Sequence, residues 1–301
     1  MRDIFSKKKG ANAVPGRYAD LMNDVAFQYV FGREANRDLL IAMLNEFIPD
    51  RHIEKVTLYK QRQVPYSKEL KKSVFDVSCI TDDGTFIDVE VQVRNQEWFA
   101  DRCLYYSTFG IQSQIPEKAD EYSLKPVYVV SIDRFTRKHG PEWDGSVLTH
   151  YSLCNSHTGE QMTDSLHFVF VELGHFNKRW EELADDRERL YFCFKHLKDM
   201  NQLPEEFESR ILARLAVQSE VAKMPITVRT KYYKNMTTEI DRRAQMLYAQ
   251  REAIAEGRAE GRAEGRAEAN IETARKLKHA NIDIEVISQC TGLSIEEVWA
   301  L

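Results

Sequence analysis

The sequence predicts an α/β fold: a mixed central sheet flanked by helices, with an α-helical C-terminal extension. Three observations predict it. First, two extended segments, Val74–Ile80 and Phe86–Arg94, bracket Thr81-Asp82-Asp83-Gly84-Thr85, and an Asp-Gly pair between such segments signals a hairpin. Second, VYVVSI at 127–132 and LHFVFVEL at 166–173 are almost wholly apolar, as strands covered on both faces are. Third, helical patterning takes over after residue 178, so that strands come first and helices follow.

The elements follow in order. Residues 1–15 hold Lys7, Lys8 and Lys9 with no apolar segment behind them, and read as a flexible tail rather than a secretion signal. Asn23 or Asp24 can cap a short helix with Phe27, Val30 and Phe31 on its apolar face and Gly32 at its end. Asn36 opens a second helix, in which Leu39, Leu40, Met43, Leu44 and Phe47 recur at helical spacing until Pro49. Residues 53–64 alternate loosely and read as a first strand. In the return strand of the hairpin, Ile87, Val89, Val91 and Val93 take one face; Asp88, Glu90, Gln92 and Arg94 take the other. A helix over 96–115 carries Trp98, Phe99, Leu104, Tyr105 and Phe109. Beyond the two apolar strands, helices are expected at 178–200, about 204–223 and 226 to about 280.

This organisation implies a main domain over 16–225, a helical spacer over 226–270 and a small helix-turn-helix-like unit over 271–301. The spacer repeats Gly-Arg-Ala-Glu from Gly257 to Glu268. A four-residue period advances about 40° per repeat around a helix of 3.6 residues per turn, so no fixed apolar stripe results. The segment reads as a solvated, charge-laced helix. In the last unit, Asp283 can cap a helix that turns Val286, Ile287 and Cys290 inward; Ser294 with Glu297 forms a capping box for Ile295, Val298 and Leu301.

Composition excludes several classes. Hydrophobic residues at 43% argue against wholesale disorder. A net charge of −5 gives no global attraction to nucleic acid, so any such site must be a local patch, and Lys60–Lys72 (KQRQVPYSKELKK) is one. The 5 cysteines form no CxxC pair, which points away from disulfide frameworks and zinc ribbons and toward a cytoplasmic location. No apolar run is long enough to span a membrane. There is no GxSxG, P-loop or HExxH motif, the 8 histidines show no metal-ligand pairing, and no organic cofactor is expected.

The hairpin carries the chemistry. Asp76 and Glu90 lie on neighbouring strands, about 5 Å apart if directly paired. Two carboxylates at that distance repel unless a cation lies between them. Oxygen ligands alone favour a hard ion, Mg²⁺ or Mn²⁺. The Val91 carbonyl can add a third oxygen, and Gln92, on the same face, can hold an attacking water. The bland alternative is a polar strand face that simply meets solvent. On the next helix, Arg102 and Tyr106 share a face at i, i+4 and can grip a phosphate; alternatively, Arg102 pairs with a carboxylate and Tyr105 packs in the core.

Asp76 followed by Glu90-Val91-Gln92 resembles the Asp…Glu-x-Lys signature of the PD-(D/E)XK nuclease superfamily. NDVAFQYVFG (23–32), LLIAMLNEFIP (39–49), FDVSC…DDGTFIDVEVQV (75–93), RCLYYSTFG (102–110), KPVYVVSI (125–132) and FVFVELGHF (168–176) extend the likeness over residues 15 to about 225. This ordered series resembles the recombination-promoting nuclease or transposase-like family of that superfamily. The resemblance implies a restriction-endonuclease-like core and Mg²⁺-dependent DNA cleavage, with Asp76 and Glu90 as ligands. It places Asp24 where related nucleases often have a further acid. Gln92 falls where the superfamily usually has Lys, which implies reduced activity. DNA is the implied partner, and a homodimer is expected because a duplex cut needs two sites. The alternative is a nuclease fold that serves mainly as a DNA- or partner-binding module.

Overall fold

The computed structural model describes residues 16–59, 76–115, 122–204 and 209–301. The N-terminal tail, the basic stretch Lys60–Lys72, the second half of the expected first strand and Val74–Phe75 lie outside these described residues. The chain divides into two compact units, Met1–Asn235 and Met236–Leu301.

The first unit is built on a six-stranded mixed sheet. Its strands are β1 (Val56–Leu58), β2 (Val77–Thr81), β3 (Phe86–Gln92), β4 (Val127–Asp133), β5 (Leu148–Ser152) and β6 (Leu166–Glu172), in spatial order β1-β2-β3-β4-β6-β5. The β1–β2, β2–β3 and β5–β6 pairs are antiparallel; β3–β4 and β4–β6 are parallel. The hairpin closes as the Asp-Gly signal predicts. Thr81 N–H donates to the Thr85 carbonyl (3.0 Å), and Gly84 takes φ +88°, which glycine adopts without a Cβ penalty. β5 was not foreseen: it is a half-exposed edge strand whose residues LTHYS carry little pattern.

Helices cover both faces. On one side lie α1 (Asp24–Phe31), α2 (Arg37–Phe47), α4 (Asp186–His196) and α5 (Arg210–Ser219). They enclose the main core with Ile87, Val89 and Val91 of β3 and Tyr128, Val130 and Ile132 of β4. Asn23 is the cap of α1, accepting from Val25 and Ala26 N–H at 3.1 and 3.3 Å, so Asp24 is the first helical residue instead. Phe194 of α4 lies 5.8, 6.1 and 6.2 Å from the rings of Phe31, Phe47 and Phe27 and joins three helices. Such ring pairs add about 0.5–1.5 kcal/mol each beyond area burial.

The opposite face is covered by α3 (Phe99–Gln112). Its inner residues are Phe99, Cys103, Ser107 and Gly110. Of the apolar residues that the helix carries, Trp98, Leu104 and Tyr105 are exposed, so the alternative in which Tyr105 packs in the core does not hold. The reason is steric: a Cβ on Gly110 would sit 2.6 Å from the Phe86 ring, so only the small-residue side of α3 can approach the sheet this closely. The helix expected over 178–200 is shortened to α4, with one-turn 3-10 segments at Trp180–Glu182 and Leu197–Asp199. Asp185 stops the extension by capping α4 through Glu188 N–H at 2.8 Å.

α6 (Ile226–His279) is one helix, and the division between the units falls within it. Its first turns belong to the first unit: the buried Tyr232 hydroxyl accepts from Asp20 N–H (2.9 Å), and Asn23 donates to the Asn235 side chain (2.8 Å). In the second unit, α7 (Ile284–Thr291) and α8 (Ile295–Ala300) pack on the end of α6 around Ala274, Ile287 and Val298. The Asp283 cap and the Ser294/Glu297 capping box form as expected. Val286 and Cys290, expected inward, are exposed; Ile287 and Thr291 take the inner side. No described helix is long and apolar enough to cross a membrane.

Candidate active site

The site is set by register. Val77 of β2 pairs with Val89 of β3. Asp76, one residue before Val77, therefore stands at the position facing Glu90. Asp76 is not mid-strand as expected but lies just ahead of β2. Even pairing at the sheet's α3-covered face puts Asp88, Glu90 and Gln92 of β3 beside Val129, Ser131 and Asp133 of β4.

That face is buried, not solvated. Asp88 is 0% and Glu90 6% exposed. The Asp76 Oδ2 atom accepts from Val91 N–H at 2.9 Å, and the Glu90 carboxylate accepts from Asp76 N–H. In an extended strand, N–H and C=O of one residue point to the same side, so the Val91 carbonyl is also turned toward Asp76. Ser78 donates to Asp88 Oδ1 at 3.0 Å. Glu90 Oε1 and Asp88 Oδ2 are buried with no hydrogen-bond partner.

The electrostatics follow. Burial pushes the Asp76 carboxyl up to about 7; the Val91 N–H opposes this, and the Asp24 charge adds to it. Burial likewise raises Glu90, and the charges of Asp76 and Asp88 raise it further. Asp88 is held protonated well above the usual carboxylate range by its complete burial. Arg102, reaching in from α3, is the cation that opposes the rise at both Asp76 and Glu90. Its Nε and one terminal nitrogen are buried without a partner, while the other terminal nitrogen donates to Gln96 (2.7 Å). Tyr106 lies 5.8 Å from the Arg102 guanidinium, ring to carbon.

These residues fit a hard divalent ion. The donors are all oxygen, one of them, Glu90 Oε1, is buried with no partner, and an uncompensated buried carboxylate calls for a cation. Asp24 is exposed at the start of α1, near enough to act on Asp76 through its charge. Gln92 is half-buried at the end of β3, beside Asp133. Among the described residues Arg102 forms no carboxylate pair that would consume its fork, and Tyr105 is outside the core.

Two polar groups escaped the sequence reading. Asp133, wholly buried, is pushed up to about 7 by burial and accepts from Ser131 at 2.7 Å. The signal was present: an acid ends an otherwise apolar strand. The expectation that no histidines pair for ligation is also corrected. His139 and His175 meet Glu172, with all three ligand atoms within 4.8 Å of one another. The Glu172-x-x-His175 spacing was the visible clue.

No curated protein and no solved structure matches the chain. A family model does: that of the PD-(D/E)XK nuclease family transposases, over residues 21–249. The match takes in Asp24, the hairpin with Asp76 and Glu90, α3 with Arg102, and the whole sheet, so the chain belongs to the PD-(D/E)XK nuclease family transposases.

Proposed function

We propose that this protein is a Mg²⁺- or Mn²⁺-dependent DNA endonuclease that acts in recombination or in the movement of genetic elements, in the cytosol. One observation carries the reading: Asp76, just ahead of β2, stands at the position facing Glu90 of β3, the first half-buried and the second buried, with an orphaned carboxylate oxygen and an unsatisfied arginine beside them. Asp76, Glu90 and the Val91 carbonyl would hold the ion. The ion supplies a water of lowered pKa and neutralises charge that builds on the phosphodiester oxygens. The Gln92 amide, at the end of β3, would be placed to orient a water by hydrogen bonding. Arg102 grips a non-bridging phosphate oxygen with the two nitrogens it has free, and the Tyr106 ring supports its guanidinium. Asp24 adds negative charge at the mouth of the site. A homodimer would bring two such sites to one duplex.

A second reading rests on Gln92. An amide there cannot supply the positive charge of a lysine, so the fold would bind DNA or a partner and cut poorly. Supercoiled plasmid with MgCl₂ separates the two. Nicking by the wild type that falls on the order of 10³-fold in Asp76→Ala and Glu90→Ala supports the nuclease. Nicking that survives both substitutions overturns it. Plasmid retention without nicking, weakening steeply with salt, selects the binding module.

A further inference from the structure

A second group of ligating side chains lies away from Asp76 and Glu90. Glu172 ends β6 and pairs in register with Asp133 of β4, which in turn pairs with Gln92 of β3. Two inter-strand steps, about 10 Å, separate the two groups. His139 comes from the 134–147 connection between β4 and β5, and His175 from the turn just after β6. His139 Nε2 and His175 Nε2 lie 3.1 and 3.7 Å from the same Glu172 oxygen, Oε2. A tetrahedral ion with bonds of about 2.0–2.1 Å holds its ligand atoms about 3.4 Å apart, which these spacings bracket.

We propose that His139, Glu172 and His175 bind one transition-metal ion of the zinc class, which fastens the 134–147 connection to the end of β6. Four features support it. Two imidazoles and one carboxylate select a borderline ion over Mg²⁺ and leave a fourth position for water. The His175 Nε2 atom is buried with no hydrogen-bond partner, although a ring nitrogen so placed needs one. Trp143 walls the group, its ring 4.1 Å from His139 and 4.3 Å from His175. The Glu172 carboxylate is already oriented from behind: Arg137 donates its backbone N–H to Oε2 (2.7 Å) and its guanidinium to Oε1 (2.8 Å). Ligating carboxylates are commonly held by such outer partners. The competing account is a self-contained Arg137–Glu172–His139 ion pair. It leaves the inward nitrogen of His175 unexplained.

This inference does not depend on DNA cleavage, and its test does not use it. The full chain, stripped with a chelator and dialysed, is titrated calorimetrically with ZnCl₂, and in parallel with CoCl₂ while visible absorption reports tetrahedral Co²⁺. One ion per chain is expected, with a rise in Tm on adding zinc. His139→Gln and His175→Gln should each weaken binding more than about 100-fold, beyond the 10–100-fold typical of an outer partner. Glu90→Gln should leave it unchanged. His175→Gln is the deciding variant, because its Nε2 makes no hydrogen bond that the fold would miss. Absence of saturable zinc binding in the wild type overturns the proposal. So does an ion that persists in His175→Gln and is lost in Glu90→Gln.

Discussion

The Asp76 carboxylate takes a hydrogen bond from the Val91 N–H at 2.9 Å and still sits at about 7, because burial outweighs that bond. A carboxyl whose folded pKa lies above its unfolded value stabilises the fold fully only below about pH 4, and that contribution is lost as pH rises through about 7. Ion-free protein at pH 8 therefore carries a buried charge beside Glu90. Asp76→Asn removes the charge and keeps an oxygen for the Val91 N–H. In chelator, the variant should be more stable than wild type at pH 8, by roughly 2 kcal/mol, with the gain vanishing near pH 4. Thermal melts at the two pH values check this. A variant less stable at pH 8 would mean that the site does not strain against its own charge.

At the proposed site, cation binding and protonation would compete for the same oxygens. At low Mg²⁺ the nicking rate should fall as pH drops below about 7, where Asp76 takes up its proton. Raising Mg²⁺ favours the ionised form and should move that acid limb to lower pH. Rate profiles at two Mg²⁺ concentrations measure the displacement. A limb that stays fixed would separate the ion from Asp76.

Much of this was readable from residues because periodicity and turn chemistry are local. The hairpin followed from Asp83-Gly84 and from the alternation of Phe86–Gln92, and the sheet interior from the apolar runs of β4 and β6. What periodicity could not say is which polar strand face is covered. Alternation places Asp88 and Glu90 together, but only α3, lying close through Gly110, turns that face into a buried one. The same limit applies to α3: its apolar residues are spread around the helix, and steric fit at Gly110 decides that Phe99, Cys103 and Ser107 face the sheet while Trp98, Leu104 and Tyr105 are exposed. Asp133 and the His139–Glu172–His175 group depend on strand order across three parallel strands, which no local pattern encodes.

Arg102 is the cation whose charge favours ionisation of both Asp76 and Glu90. Arg102→Ala should lower nicking about 10–100-fold through the lost phosphate grip, and should shift the acid limb of the rate profile upward. Arg102→Lys restores a charge but not the planar fork. It should return the limb toward its wild-type position while recovering only part of the rate. If both variants move rate and limb together, the residue acts through charge alone, and the proposed grip fails.

Gly110 tests how close α3 must lie. Helix propensity favours Ala over Gly by about 1 kcal/mol. Against that, a Cβ at 110 would meet Phe86 Cδ1 at 2.6 Å and Val127 Cγ1 at 2.9 Å, and overpacking of this kind costs about 1–3 kcal/mol. Packing should win, so Gly110→Ala should lower Tm. It should also reduce nicking, because Arg102 rides on the same helix and would be lifted from the carboxylates. Gly257, in the repeat of α6, is the control: a Cβ there meets nothing within 4 Å. Gly257→Ala should therefore leave nicking unchanged and stabilise its helix by up to about 1 kcal/mol, seen as slower amide exchange around residue 257. Equal effects of the two substitutions on Tm would mean that the contact between α3 and β3 is looser than these distances state.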